Sequence, residues 1–146
     1  MIITAQQHPH AENAQELDQL RYMMQVYQNQ YGMMSNSINM ALNDLRELNN
    51  AQKTIESNDS VKGKLSFTDL GAGFYMKSRI DEEDSVIVGV GGNYFVEKDN
   101  TEAKQYVARQ VGRKTDELNK MIKNKKELEG AMMELSYKIE HFGHQH

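Results

Sequence analysis

The chain has 146 residues, 38% hydrophobic and 26% charged, with a formal net charge of −4, which suits one domain or one subunit of an assembly. Leu, Ile, Val and Phe together number 30 of 146, close to the share of about 20% below which chains tend to stay disordered, so a compact globule would be poorly filled. The acidic balance argues against a general polyanion binder, and the absence of cysteine excludes disulfides, thiolate zinc sites and a cysteine nucleophile while fitting a reducing compartment.

In chain order, residues 1–10 read as a flexible tail. Met1-Ile2-Ile3-Thr4 has no basic region and no apolar stretch of signal-peptide length, and no segment approaches the roughly 18 apolar residues of a membrane span. An unprocessed, soluble, cytoplasmic chain without a membrane partner is expected. From 11 to 57 runs a proline-free segment with Leu17, Met24, Tyr31, Ile38, Leu45 and Gln52 at one heptad position and Leu20, Tyr27, Met34, Ala41, Leu48 and Ile55 at the other. Steps of three and four sustained over five heptads keep one stripe on one side of a supercoiled helix. This segment is expected to be coiled-coil helix 1, stopping at the polar run Ser57-Asn58-Asp59-Ser60.

The stretch 61–98 gathers six of the ten glycines around four short runs enriched in Val, Ile, Phe and Tyr: Leu65 to Leu70, Gly73 to Ile80, Val86 to Val90 and Asn93 to Lys98. Turn chemistry at Gly71-Ala72-Gly73, at Asp81-Glu82-Glu83-Asp84-Ser85 and at Gly91-Gly92-Asn93 makes these two β-hairpins. Period-two alternation selects Phe74, Met76, Ile80, Val86, Val88, Val90, Tyr94 and Val96 as the candidate core and subunit contacts of the hairpins. Isolated hairpins leave open edges and an uncovered apolar face, so other subunits are expected to complete them.

Asp99 followed by Glu102 has the pattern of a capping box and opens helix 2, residues 101–142. Its seam alternates Val111, Leu118, Met132 and Ile139 with Val107, Met121, Leu128, Leu135 and Phe142, interrupted by Lys114 and Lys125, which are expected to set the register or to mark where the pair loosens. At about 1.5 Å per residue each helix is expected to be about 65–70 Å long. The short centre returns helix 2 antiparallel to helix 1 and brings Leu17 near Ile139, with both chain ends at one tip; residues 143–146 read as a second tail.

Set between two coiled-coil helices, Asp69-Leu70-Gly71-Ala72-Gly73-Phe74-Tyr75-Met76-Lys77-Ser78 and the run from Val86 to Asp99, Val-Ile-Val-Gly-Val-Gly-Gly-Asn-Tyr-Phe-Val-Glu-Lys-Asp, resemble the archaeal prefoldin alpha family. The likeness runs from about residue 11 to the end, and it is the hairpin motif that is specific. Asp69 departs from it, since the family commonly has proline before the Leu-Gly pair. The resemblance implies an α+β, mainly helical fold: a long antiparallel two-helix coiled coil joined by two β-hairpins that assemble into an intersubunit β-barrel. It further implies a heterohexamer of two alpha and four beta prefoldin subunits, two hairpins rather than one marking the alpha type. It implies, last, ATP-independent capture of non-native polypeptide clients and their transfer to a group II chaperonin.

Apolar seam residues near the free helix ends have nothing further to pack against, and methionine adapts to irregular apolar surfaces. Leu17, Leu20, Met23, Met24 and Tyr27 facing Met132, Met133, Leu135, Ile139 and Phe142 are therefore the candidate client-binding residues, of which Met24 and Met132 equally fit simple seam packing and Met23 and Met133, off the seam, fit client contact better. Several weak tips acting together raise avidity while each contact stays reversible. The competing reading is a structural or adaptor coiled coil that binds one folded partner.

Other signals are weaker. Five histidines (His8, His10, His141, His144, His146) lie near the two ends, where a solvated tail explains them better than a metal site. Arg113, Lys114, Lys120, Lys123, Lys125 and Lys126 are interleaved with acids and lack stacking aromatics, so no nucleic-acid partner is expected. Gly89-Val90-Gly91-Gly92 lacks the lysine of a phosphate loop and reads as a hairpin turn. No nucleophile-and-base constellation stands out; neither enzyme activity nor a cofactor is expected.

Overall fold

The computed structural model describes residues 9–57, 62–81 and 85–142. Its elements follow in the order α1 (Pro9–Glu56), β1 (Leu65–Gly71), β2 (Phe74–Arg79), β3 (Ser85–Gly91), β4 (Tyr94–Asp99) and α2 (Asn100–Phe142), an α+β arrangement that is mainly helical. Residues 1–8 of the expected N-terminal tail, the whole expected C-terminal tail, most of the loop after Ser57 and the centre of the 81–85 connection lie outside the described residues, while residues 9 and 10, expected in the tail, belong to α1. Among the described residues no helix is long and apolar enough to cross a membrane.

Local chemistry explains where the helices begin and end. Pro9 opens α1 at the first helical position, where its missing N–H costs nothing, two residues earlier than the heptad pattern alone predicts. The far end closes on Ser57, whose N–H and hydroxyl both reach the Lys53 carbonyl, at 3.0 and 2.8 Å, and satisfy an acceptor that the helix itself leaves open. At the start of α2 the Asp99 carboxylate accepts the Glu102 N–H at 2.7 Å, the N-cap interaction expected from that spacing.

The chain divides into two compact units, one comprising the described residues up to Ala41 with those from Glu117 onward, the other Leu42–Asp116. In the first unit α1 and α2 run antiparallel. The Tyr31 hydroxyl donates to Glu129 Oε1 at 3.1 Å, Met33 and Met34 share a groove with Met121, and Leu20 shares one with Phe142. Ile38, Ala41, Leu118, Leu128 and Leu135 are buried there, and every other expected seam position in the unit is at least half-buried. Lys125 stays on the seam by laying its ammonium 4.7 Å from the centre of the Tyr31 ring, where the ring face attracts a cation.

In the second unit the same heptad stripe continues through half-buried Leu45, Leu48, Gln52 and Ile55 of α1, opposite Ala103 and Val107 of α2, which are buried. Lys114, the other seam lysine, pairs with Asp44 at 3.4 Å. Hairpin β3–β4 lies against this helix pair: Val86 to Gly89 and Leu48, Ala51, Ile55, Ala103 and Val107 line one open groove of about 330 Å³.

The two hairpins are copies of one design, twenty residues apart: β1 begins at Leu65 and β3 at Ser85, β2 at Phe74 and β4 at Tyr94. Each is an antiparallel two-stranded sheet with a two-residue loop, Ala72-Gly73 or Gly92-Asn93. Both loop residues have positive φ in each case, 52° and 83° in the first and 58° and 61° in the second, the signature of the type I′ turn whose twist matches that of the strands. One residue before the last of β1 and of β3, Leu70 and Val90, is left over by the pairing and forms a bulge. At the first bulge Asp69 Oδ1 accepts the Gly71 N–H at 2.7 Å. Aspartate thus supplies a local acceptor that proline, with no side-chain oxygen, does not.

Candidate interaction surfaces

Two surfaces remain apolar and uncovered, one in each unit. In the first unit the ten residues expected from the sequence fall into three groups. Met23 and Met133 stand out from the helices at 43% and 75% exposure. Leu17, Leu20, Met24, Tyr27, Met132, Ile139 and Phe142 are half-buried in the seam, and Leu135 is buried within it. The geometry therefore separates residues that hold the helices together from residues that face outward. It also adds outward residues that the sequence reading passed over: Tyr22, Met33, Met40, Ile122 and Tyr137. They lie off the heptad stripe, so a search along the seam does not find them; their signal is a bulky apolar residue at a position where a coiled coil ordinarily carries a charge.

These outward side chains are not isolated. Tyr22 and Met23 line a shallow open groove with Gln15, Asp18 and Gln19. Tyr137 stacks on His141, ring centres 3.9 Å apart, while His141 Nδ1 lies 2.9 Å from the Tyr137 carbonyl. His141 is thus occupied within its own helix. His8, His144 and His146 lie outside the described residues, as does the side chain of His10. Among the described residues no group of three or more potential metal ligands comes together.

In the second unit the hairpins carry the exposed surface. Residues opposite one another in an antiparallel pair share a face, and Val88 opposite Val96, with Val86, Tyr94 and Lys98, forms one face of β3–β4. Val86 and Val88, the expected residues nearest the helices, are half-buried; Phe74, Met76, Ile80, Val90, Tyr94 and Val96 are exposed. Ile80 lies just past β2, and its carbonyl accepts the Gly63 N–H at 2.9 Å, closing the open end of the first hairpin. The opposite faces are apolar as well: Leu65, Phe67 and Tyr75 on the first hairpin, Ile87 and Phe95 on the second, all exposed. Phe95 lies across Gly89, where an added Cβ would meet its ring at 3.4 Å. Period-two selection found one face of each hairpin and missed the other. Gly91 ends β3, paired with Tyr94, and Gly92 opens the β3–β4 turn.

Residues 27–145 match the family model described as Prefoldin subunit. The chain is 30% identical over 132 residues to prefoldin subunit alpha of Methanobrevibacter smithii, covering 88% of each, and 25% identical over 131 residues to prefoldin subunit alpha of Pyrococcus horikoshii, covering 88% of this chain and 84% of the relative. Among solved structures it is similar to a chain of filamentous PFD from Methanocaldococcus jannaschii, determined by cryo-electron microscopy, with a TM-score of 0.56 and 25% identity over 82% of this chain and 94% of that one.

Proposed function

Since the chain belongs to the prefoldin family as an alpha-type chaperone subunit that assembles with other prefoldin subunits, we propose that its two hairpins build an intersubunit β-barrel in a cytoplasmic complex of two such chains with four beta subunits. In that complex the outward apolar side chains of the paired helices hold non-native polypeptides without ATP and pass them to a group II chaperonin. The observation that carries the client reading is the exposure of Met23 and Met133 beside an intact seam: apolar surface is offered to solvent without being borrowed from the packing that keeps the helices together. Adaptable thioether side chains suit partners of varied shape. Apolar contacts are non-directional, and several weak ones acting at once give a hold that still lets go. Nothing in that scheme needs a nucleotide.

The assembly is tested by light scattering on the complex purified from its native cytosol, with mass spectrometry of the subunits; two copies of this chain with four of a shorter coiled-coil subunit is the expected result, and a homo-oligomer or one folded partner would move the reading to an adaptor. Client holding is tested by the double substitution Met23→Gln and Met133→Gln. Protection of an aggregating client is expected to weaken with helicity unchanged, and full protection would remove these residues from the client surface.

A further inference from the structure

Three methionine doublets occur in the first unit, Met23-Met24, Met33-Met34 and Met132-Met133, and the helix treats each in the same way. One member lies half-buried on the seam (Met24, Met34, Met132), and its neighbour points outward, at 43% exposure for Met23, 70% for Met33 and 75% for Met133. The chain has ten methionines and no cysteine, so thioethers are its only sulfur groups. We infer that Met23, Met33 and Met133 are sites of reversible sulfoxidation that weakens the hold on non-native clients while leaving the helix pair folded. The inference rests on the client reading proposed above.

The chemistry needs a peroxide as oxidant. The thioether sulfur attacks one peroxide oxygen, the O–O bond breaks, and the departing hydroxide takes up a proton to leave as water; the sulfur loses two electrons to become a sulfoxide and the peroxide gains them. A dithiol-dependent reductase returns the two electrons and releases the oxygen as water. Sulfoxide formation turns a flexible apolar side chain into a polar one and disrupts methionine-rich contact surfaces. Because the outward member of each doublet lies off the heptad stripe and is exposed, its oxidation changes chiefly the surface. Its seam neighbour, screened by the opposite helix, reacts more slowly.

The assembled complex is treated with graded hydrogen peroxide, and each methionine is followed by peptide mass spectrometry. Met23, Met33 and Met133 are expected to oxidise several times faster than Met24, Met34 and Met132. Aggregation suppression is expected to fall in step with the outward three at unchanged helical circular dichroism, and to return after treatment with methionine sulfoxide reductase and dithiothreitol. The triple substitution Met23→Leu, Met33→Leu and Met133→Leu removes the oxidisable sulfurs while keeping apolar side chains, and whatever client holding the variant shows before treatment is expected to persist undiminished through the peroxide treatment. Equal oxidation rates within the doublets would overturn the inference, as would a triple variant that loses activity to peroxide as fast as the parent. Untreated complex that holds no client at all would overturn the proposed function and this inference with it, and the untreated sample alone identifies that case.

Discussion

Asp99 carries a disproportionate share of the local order, since its carboxylate caps the first turn of α2 directly after the last residue of hairpin β3–β4. Asp99→Ala is expected to cost about 1 kcal/mol, read as a lower denaturation midpoint, and Asp99→Asn to recover most of it because the amide oxygen still accepts. Ala72 points the other way. It holds φ 52° at the first turn, a conformation that disfavours any residue with a Cβ by about 1–2 kcal/mol. Part of that relief is offset by the greater freedom of glycine in the unfolded chain, so Ala72→Gly is expected to slow hydrogen exchange of the β1–β2 amides modestly. Faster exchange would mean that Ala72 makes contacts worth more than its strain.

At the scale of the element, the helices were legible in the sequence nearly residue by residue. Burial on a helix pair depends on one period, and every heptad position from Leu17 to Phe142 is half-buried or buried, the two lysines included. Even these have physical company, an acid for Lys114 and an aromatic face for Lys125. Leu128→Ala, at 8% exposure on the seam, is expected to cost about 2–3 kcal/mol and to lower the melting of the helical signal, whereas the same change at exposed Ile122 is expected to cost far less. The hairpins were legible in their turns, because Gly-Asn and Gly-Ala-Gly chemistry reports positive φ directly. They were less so in their faces. Alternation marks a face only when the other face is polar, and here Phe67, Tyr75, Ile87 and Phe95 occupy the side that the pattern left unassigned. The bulges at Leu70 and Val90 interrupt the alternation once more, for a reason that pairing reveals and composition does not.

For the whole molecule, the decisive quantity is apolar surface that this chain does not itself cover. Two-stranded sheets are marginal alone, and each hairpin here has both edges unpaired within the described residues. Under the proposed assembly the substitutions Tyr94→Asp and Val96→Asp place charges where neighbouring strands pack. They are expected to abolish formation of the mixed complex in size-exclusion chromatography while leaving helicity close to that of the parent chain. A complex that forms normally with both charges in place would move the subunit contacts to the opposite faces, around Phe67 and Phe95. The candidate client surface was only half legible at this scale. Sequence reasoning located the helix ends and the two outward methionines Met23 and Met133, but it counted Leu135, which the seam buries, and it passed over Tyr22 and Tyr137.

The duplicated hairpins have a consequence for the cell that makes them. A freshly synthesised copy, before it meets its partners, displays unpaired strand edges and solvent-facing Phe, Tyr, Ile and Val, the features by which quality control distinguishes unfinished proteins from finished ones. An orphan copy is therefore a natural target of the machinery it is proposed to serve. Under the proposed assembly its abundance is expected to follow how much partner is available to cover it, with surplus copies turned over rather than kept as a free pool.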